Sequence, residues 1–385
     1  MNLQSFDVAP AFEKRSSCDL PAALEELRAG RFLAIVDDEN DIQEGSLVMV
    51  SAEPSPEALR TMMSATSGLA CMAVSEADLR KVKMPGSLEN CFAMGALFPE
   101  DRARKGFGNT SSERAFKQRL VPFTTHKNGV LGRPRVAECA SDLARMLGGD
   151  QCSLFCTFGS DSRGPAIARL NEMVKAYSLK VLSIVELVRY RLLHEEHVRS
   201  RGSTPVMSKH GKFQFACIES DVFEQCGVLI KGDRSSFHSH PPMVRIENIP
   251  RAGSACTCLL RCAGASFTDS SELMHRDGCG IIIFMPYMGE LSPGRVVQEF
   301  TLEHFRDDPF STLGDSIFRS VVSAGVCAQI IRHLGAVSIR AISNRPHRLK
   351  DLESFGIKIV EEVSIKQAQS ELEVRRPVRE PLILM

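Results

Sequence analysis

From Phe32 to Glu53 the chain reads FLAIVDDENDIQEGSLVMVSAE, an apolar run that ends abruptly in acid and amide side chains before a second apolar run begins. Phe32 to Val36 is short, β-branched at its end and preceded by Gly30, which suits a buried strand, and Leu47 to Val50 suits its neighbour. The pattern predicts strand, acidic loop, strand. Asp37, Asp38, Glu39, Asn40, Asp41, Gln43 and Glu44 crowd the loop. Carboxylates this close repel one another, so the loop is favourable either as a fully solvated turn or with a cation or cationic ligand among them. At the level of the residues both readings stand.

The rest of the chain supplies material for two cores, since 385 residues with 43% hydrophobic content compare with roughly 100–200 residues per domain. The net charge is zero, which gives no general pull toward nucleic acid or a membrane surface. No apolar run approaches the roughly 18 residues of a membrane span, and MNLQSFDVAP has no signal-peptide pattern, so a cytoplasmic protein is expected. Thirteen cysteines, odd in number and scattered, read as reduced thiols rather than as a disulfide framework.

After an opening of no clear pattern, Asp19 is placed to cap a helix with Pro21 at an early position, Leu20, Ala23, Leu24 and Leu27 on one face, and Gly30 as its stop. Beyond the acidic loop come a helix opened by Ser55 and Pro56, a strand LACMAVS and a short helix from Glu76. Phe98 to Arg119 is glycine-bearing and basic, a lid or a solvated loop. Helix 137–147, strand 153–158, helix 166–177, strand 180–184 and a last helix to about Glu196 close the first domain, expected over 17–197. The polar, periodicity-free run from His197 to Gly211 reads as a linker to a second domain over 211–366. There CGIIIFMPYM is a buried strand and SIFRSVVSAGVCAQIIRHLG an amphipathic helix ending at Gly335, and the charged stretch from about Lys366 reads as frayed. Alternating strands and helices give a fold class of α/β and α+β in two layered domains.

DDENDIQEG followed by SAE resembles the signature loop of 3,4-dihydroxy-2-butanone-4-phosphate synthase, and TSGLAC ending at Cys71, GVLGRPRVAE from Gly129 to Glu138, and VLSIVELVRYR resemble its flanking motifs. GNTSSER is similar, more loosely, to the substrate-loop element of that family, with Arg114 on its arginine. KFQFACIESDVFEQCGVLIKGD, PPMVRIENI and AVSIRAISNRPHRLKDLESFGIKIV resemble segments of GTP cyclohydrolase II. The order of the two resembles the fused, bifunctional riboflavin-biosynthesis protein. The resemblance implies a small phosphorylated substrate, catalytic roles for Asp37, Asp38, Glu39, Glu44, Cys71 and Glu138, substrate binding by Arg114 and Arg133, and a homodimer through the first domain, with no nucleic-acid or membrane partner.

The same resemblance marks departures. In the synthase a glutamate of the acidic loop and the histidine of Gly-His-Thr-Glu hold the metal, and here those positions are Ile42 and Val136. The loop's arginine and final aspartate correspond to Asp41 and Ser46, and the glutamate after Cys156 to Thr157. In the second domain Pro250 stands at the first zinc-ligand position, and PYMGELSPGR replaces the glycine-arginine signature. No metal and no other cofactor is therefore expected at either inherited site.

Three further features have two readings each. Cys256, Cys258 and Cys262, with His275 and Cys279 behind them, are either soft-metal ligands at a non-standard spacing or small buried hydrophobes. His238 and His240 either share one face of an extended segment or sit in an exposed turn before two prolines. Cys71 is either a reactive thiol or a packing residue beside the acidic loop. For the whole chain the readings are a diverged enzyme acting on a sugar-phosphate or pyrimidine-type molecule, a non-catalytic binding or regulatory relative, and an authentic riboflavin enzyme with displaced ligands.

Overall fold

The computed structural model describes residues 18–37, 44–51, 55–66, 70–75, 120–148, 152–158, 166–208, 210–249, 265–286, 317–342 and 350–363. The short helix expected from Glu76, the basic stretch 98–119 with Arg114, the cysteines 256, 258 and 262, and the stretch from Lys366 lie outside them. The chain divides into two compact units, Met1–Arg191 and Leu192–Met385. Each combines a mixed sheet with helices, as the α/β and α+β fold class requires.

In the first unit α1 (Leu20–Arg28) begins where Asp19 accepts the backbone N–H of Ala22 at 3.0 Å, and it buries Leu20, Ala23 and Leu27. The sheet contains β1 (Leu33–Asp37), β2 (Glu44–Ser51), β3 (Ala70–Ser75), β4 (Leu120–Thr125), β5 (Cys152–Thr157) and β6 (Val181–Ser183), in the order β4-β3-β5-β2-β1-β6. β1 and β2 form an antiparallel pair whose last partners are Asp37 and Glu44, so the acidic segment connects two core strands. All five residues of β1 are buried. One core contains Ala34, Val36, Leu47, Met49, Met72, Leu154 and Cys156, with Leu59 and Met62 from α2 (Pro56–Thr66) and Leu170 from α4 (Ala166–Tyr177). Between β4 and β5 lies α3 (Val136–Met146), and α5 (Ile184–His194) follows β6.

The second unit contains β7 (Val198–Ser208), β8 (Gly211–Ser220), β9 (Glu224–Lys231), β10 (Met243–Ile249), β11 (Gly280–Pro286), β12 (Ser338–Ile342) and β13 (Lys358–Val363), in the order β13-β12-β10-β11-β9-β8-β7. Four strands run parallel, β13 to β11, and three antiparallel, β9 to β7. The helices are α6 (Ala265–Asp277), α7 (Ile317–His333) and the short α8 (Lys350–Ser354). Gln329 of α7 fixes the start of this unit. Its Nε2 donates to the carbonyls of Leu192 (2.7 Å) and Glu195 (2.9 Å), and its Oε1 accepts from the His197 N–H at 2.9 Å.

The linker expected from His197 to Gly211 is corrected by β7, which pairs with β8 from Val198↔Ser220 to Ser208↔Gly211. Nearly every residue of β7 after Val198 is exposed. A strand at the end of a sheet with neither face covered has no buried set to alternate, so the period of two that identifies strands is missing. The backbone ladder does the pairing, and exposed ion pairs add to it, Arg199 to Asp221 just past the end of β8 at 2.8 Å and Arg201 to Glu219 at 2.7 Å. Pro205 and a register irregularity between Ser200 and Gly202 blunt the free edge.

Ile282 is fully buried in β11, at the centre of its sheet. Ile282→Ala is expected to cost about 2–5 kcal/mol through lost transfer energy and a residual cavity. Urea unfolding followed by circular dichroism measures it, and a loss within experimental error would show that the parallel half of the sheet is not a close-packed core.

Candidate functional site

The described part of the site is built on one turn. β4 ends at Thr125, and the chain reverses through His126 to Asn128 into a 3-10 turn at Gly129–Leu131. Gly129 has φ +57°, and a Cβ there would overlap the Asp142 carboxylate, so the turn takes glycine on two counts. The Gly129 N–H donates to the His126 carbonyl at 2.9 Å, and the Gly132 N–H to the Gly129 carbonyl at 3.0 Å. Pro134 then keeps the chain from continuing helically, and α3 begins at Val136 after an extended Arg135.

A buried ion pair holds this turn from below. Asp142 Oδ2 accepts from the Val130 N–H and from Arg191 Nη1, each at 2.9 Å, while Arg191 Nη1 also donates to the Asn128 carbonyl at 2.7 Å. Burial raises the Asp142 carboxyl, and Arg191, the Val130 N–H and Arg145 oppose that rise.

Above the pair lies Glu138, fully buried in the first turn of α3. Its Oε1 accepts from the His126 N–H at 3.0 Å and from Arg133 Nε at 2.6 Å, and Arg133 Nη2 converges on the same oxygen. Glu138 Oε2 is buried with no hydrogen-bond partner among the described residues. Arg133 Nη2 also donates to the Thr124 carbonyl at 2.7 Å, and the arginine side chain remains 52% exposed. Arg133 and Glu138, both named from the sequence, are thus brought into direct contact.

The other sequence-named residues are more widely placed. Asp37 is buried at the last position of β1, and Glu44 opens β2 opposite it. Asp38, Glu39 and Arg114 lie outside the described residues, as do Asp41 and Ile42. Cys71 is half-buried on β3, where burial pushes its thiol up to about 12, and Cys156 is likewise raised to about 11. A thiol so protonated at neutral pH is a poor nucleophile, which favours the packing reading of Cys71.

Two positions gain meaning only from strand register. Ser46 of β2 and Thr157 of β5 are direct partners, and their hydroxyls are hydrogen-bonded at 3.0 Å. His126, unlike Ser46 and Thr157, is not marked by any motif in the sequence. Its ring lies against Gly132, where any Cβ would overlap Nδ1, and Nδ1 accepts the Asn128 N–H at 3.1 Å. The bare glycine ahead of Arg133 was the available signal, but a glycine in a loop has many causes.

In the second unit His238 ends a short 3-10 turn, and His240 follows before Pro241 and Pro242, so the two do not share a face of an extended segment. His240 Nε2 is 3.2 Å from Asp277 and 3.1 Å from Arg340. Arg340 grips Asp277 with both terminal nitrogens, and this holds the Asp277 carboxyl below the usual range. His275 is exposed on α6 and Cys279 is buried, its Sγ 3.8 Å from the His240 carbonyl. Among the described residues no group of three or more His, Cys, Asp or Glu is arranged to hold a metal, and no helix is long and apolar enough to cross a membrane.

Comparison with known proteins adds a class to this geometry. Residues 21–98 match the family model of 3,4-dihydroxy-2-butanone 4-phosphate synthase, and residues 199–364 match that of GTP cyclohydrolase II. The riboflavin biosynthesis protein RibBA of Synechocystis sp. is 25% identical over 379 residues, covering 90% of this chain and 67% of the relative. That of Mycolicibacterium gilvum is 26% identical over 380 residues, covering 89% and 88%. The crystal structure of RibBX from A. baumannii, a two-domain 3,4-dihydroxy-2-butanone 4-phosphate synthase, shares the fold with TM-score 0.63 at 18% identity, over 90% of this chain and 99% of that one. The chain is a synthase-like domain followed by a cyclohydrolase-II-like domain. In this order the two parts match the two families that are joined in the bifunctional riboflavin-biosynthesis proteins the chain is similar to.

Arg191→Met is expected to destabilise the first unit by about 3–5 kcal/mol at neutral pH, because it leaves the Asp142 charge buried and unpaired. The sign of the pH dependence follows from the raised carboxyl. An acid raised on folding favours the folded state most below its unfolded value, and that contribution is lost as pH rises through the folded value. Without Arg191 the rise is larger, so the variant recovers stability on acidification through the carboxylate range more than the parent does. Urea titrations at acidic and neutral pH read this, and a loss independent of pH would contradict the pairing.

Proposed function

We propose that the amino-terminal domain binds a small phosphorylated molecule, of sugar-phosphate or pyrimidine type, at the Arg133–Glu138 site, and that its chemistry is altered from conversion of ribulose 5-phosphate to 3,4-dihydroxy-2-butanone 4-phosphate. The observation that carries this is the Ser46–Thr157 hydroxyl pair, which stands where the family resemblance places two carboxylates. Val136, at the position of the metal-binding histidine, opens α3 with an apolar side chain that has no lone pair to give. Hard divalent cations need oxygen or imidazole donors, and neither Ile42 nor Val136 carries one, so the residues at the two ligand positions do not fit the family's metal and no step is assigned to one.

The chain's own groups define what remains. Arg133 spends Nε and Nη2 on Glu138 and Thr124, which leaves Nη1 on a half-exposed side chain to meet a phosphate. Arg114 is the second candidate for that phosphate. Glu138 is buried and acts by holding the Arg133 guanidinium through Oε1, and Asp37, Asp38, Glu39 and Glu44 are acid–base candidates around the acidic loop.

Incubating the full chain with ribulose 5-phosphate and with GTP, with mass-spectrometric detection of products and calorimetric measurement of binding, tests this reading. Expected are binding of the sugar phosphate, weakened about tenfold or more in Arg133→Ala, no formate release, no opening of the GTP ring and no stoichiometric zinc. Magnesium-dependent formate release at a metabolic rate would restore the authentic synthase, and its appearance in Ile42→Glu with Val136→His would support the assignment of those two positions. One zinc per chain would contradict the carboxy-terminal half, and replacing Cys256, Cys258 and Cys262 would then test that cluster as its holder.

We also propose that the chain is a homodimer through its amino-terminal domain. Support comes from β4, an edge strand of its sheet, where Phe123 is 46% exposed while its ring meets Phe155 edge-on at 5.5 Å. Closed two-fold pairing is the commonest way to cover such surface. Light scattering of the full chain is expected to give twice the chain mass at tens of micromolar, falling toward the monomer in Phe123→Lys. A monomeric parent protein would sink the shared-surface idea.

A further inference from the structure

We propose that His126 is a ligand-binding residue of this site, its neutral imidazole presenting Nε2–H to an oxygen of the phosphorylated molecule that Arg133 binds, an assignment that rests on the reading of the site given above. The tautomer follows from the partner. A backbone N–H can only donate, so with the Asn128 N–H 3.1 Å from Nδ1 that nitrogen is the acceptor, and the neutral ring carries its proton on Nε2.

The ring is also held in place. The His126 N–H is anchored on Glu138 Oε1 at 3.0 Å, and the ring lies on the bare Cα of Gly132, the residue directly before Arg133. Glu138 Oε1 thus fixes both the His126 backbone and the Arg133 guanidinium. No described group is hydrogen-bonded to Nε2, and His126 is exposed. Closing the turn requires only an acceptor for the Asn128 N–H, which a shorter Asp, Asn or Ser supplies without needing a glycine opposite. The imidazole adds a donor at its far edge, and a phosphorylated ligand is an oxygen-rich acceptor that takes donors from more than one direction.

Two measurements on the full chain test the assignment. The nitrogen-15 spectrum of the His126 ring is expected to show the Nε2–H tautomer. Calorimetric titration with ribulose 5-phosphate, and with inorganic phosphate as a second probe, is expected to show binding about tenfold to a hundredfold weaker in His126→Ala than in the parent. His126→Gln, which keeps an N–H donor, is expected to lose less. Gly132→Ala, which displaces the ring without altering it, should lose about as much as His126→Ala. Unchanged thermal unfolding of His126→Ala and His126→Gln separates this from a folding defect. An Nδ1–H tautomer, or a His126→Ala chain that binds as tightly as the parent, overturns the assignment alone. Parent protein that binds neither probe overturns the reading of the whole site, and this assignment with it.

Discussion

The ion pair between Asp142 and Arg191 is the contact on which the described site depends. The two side chains are only 6% and 7% exposed, so each would pay heavily for desolvation if it stood alone. They are not left to each other. Asp142 takes the Val130 N–H and Arg191 gives to the Asn128 carbonyl, so the pair also satisfies polar groups of the turn above it. That turn sets the path from β4 to α3, and the path sets Arg133 against Glu138. A buried pair of this kind is a weak source of net stability but a strong constraint on conformation, because a displaced turn would strand a charge and two backbone groups together.

Much of the architecture was legible because local chemistry and burial agree. Asp19 caps α1 as its sequence suggests, the FLAIV run is a buried strand, and the periodic run ending at Gly335 is α7. β7 was not legible, since the cue for a strand is a buried face and this one has none. Pattern reading finds segments that must hide something, and an edge strand held by its backbone ladder to β8 hides almost nothing.

The site divides along the same line. Arg133 and Glu138 lie five residues apart in one motif and were both named through the family resemblance, while their direct contact is seen only in the structure. Asp142, four residues further on, reads as an ordinary helical acid until Arg191, 49 residues away, is seen beside it. His126 depends on Gly132 and Asn128 at once, a three-residue coincidence that no single spacing rule marks. Ser46 and Thr157 are 111 residues apart and become a pair only through the register of β2 and β5.

That last pair bears on how this part of the sheet is held. Two carboxylates on partner positions of adjacent strands repel, and in the half-dry centre of a sheet the repulsion is severe without a cation between them. A serine and a threonine at the same positions satisfy one another with a single neutral bond, so this part of the sheet holds together without any bound ion. The Asp142–Arg191 clamp is equally independent of such an ion, because its charges cancel within the chain. Neither interaction uses Val136, and α3 begins there with no donor required. The framework is therefore held by contacts within the chain, and the Arg133–Glu138 contact depends on none of the groups that a metal would need.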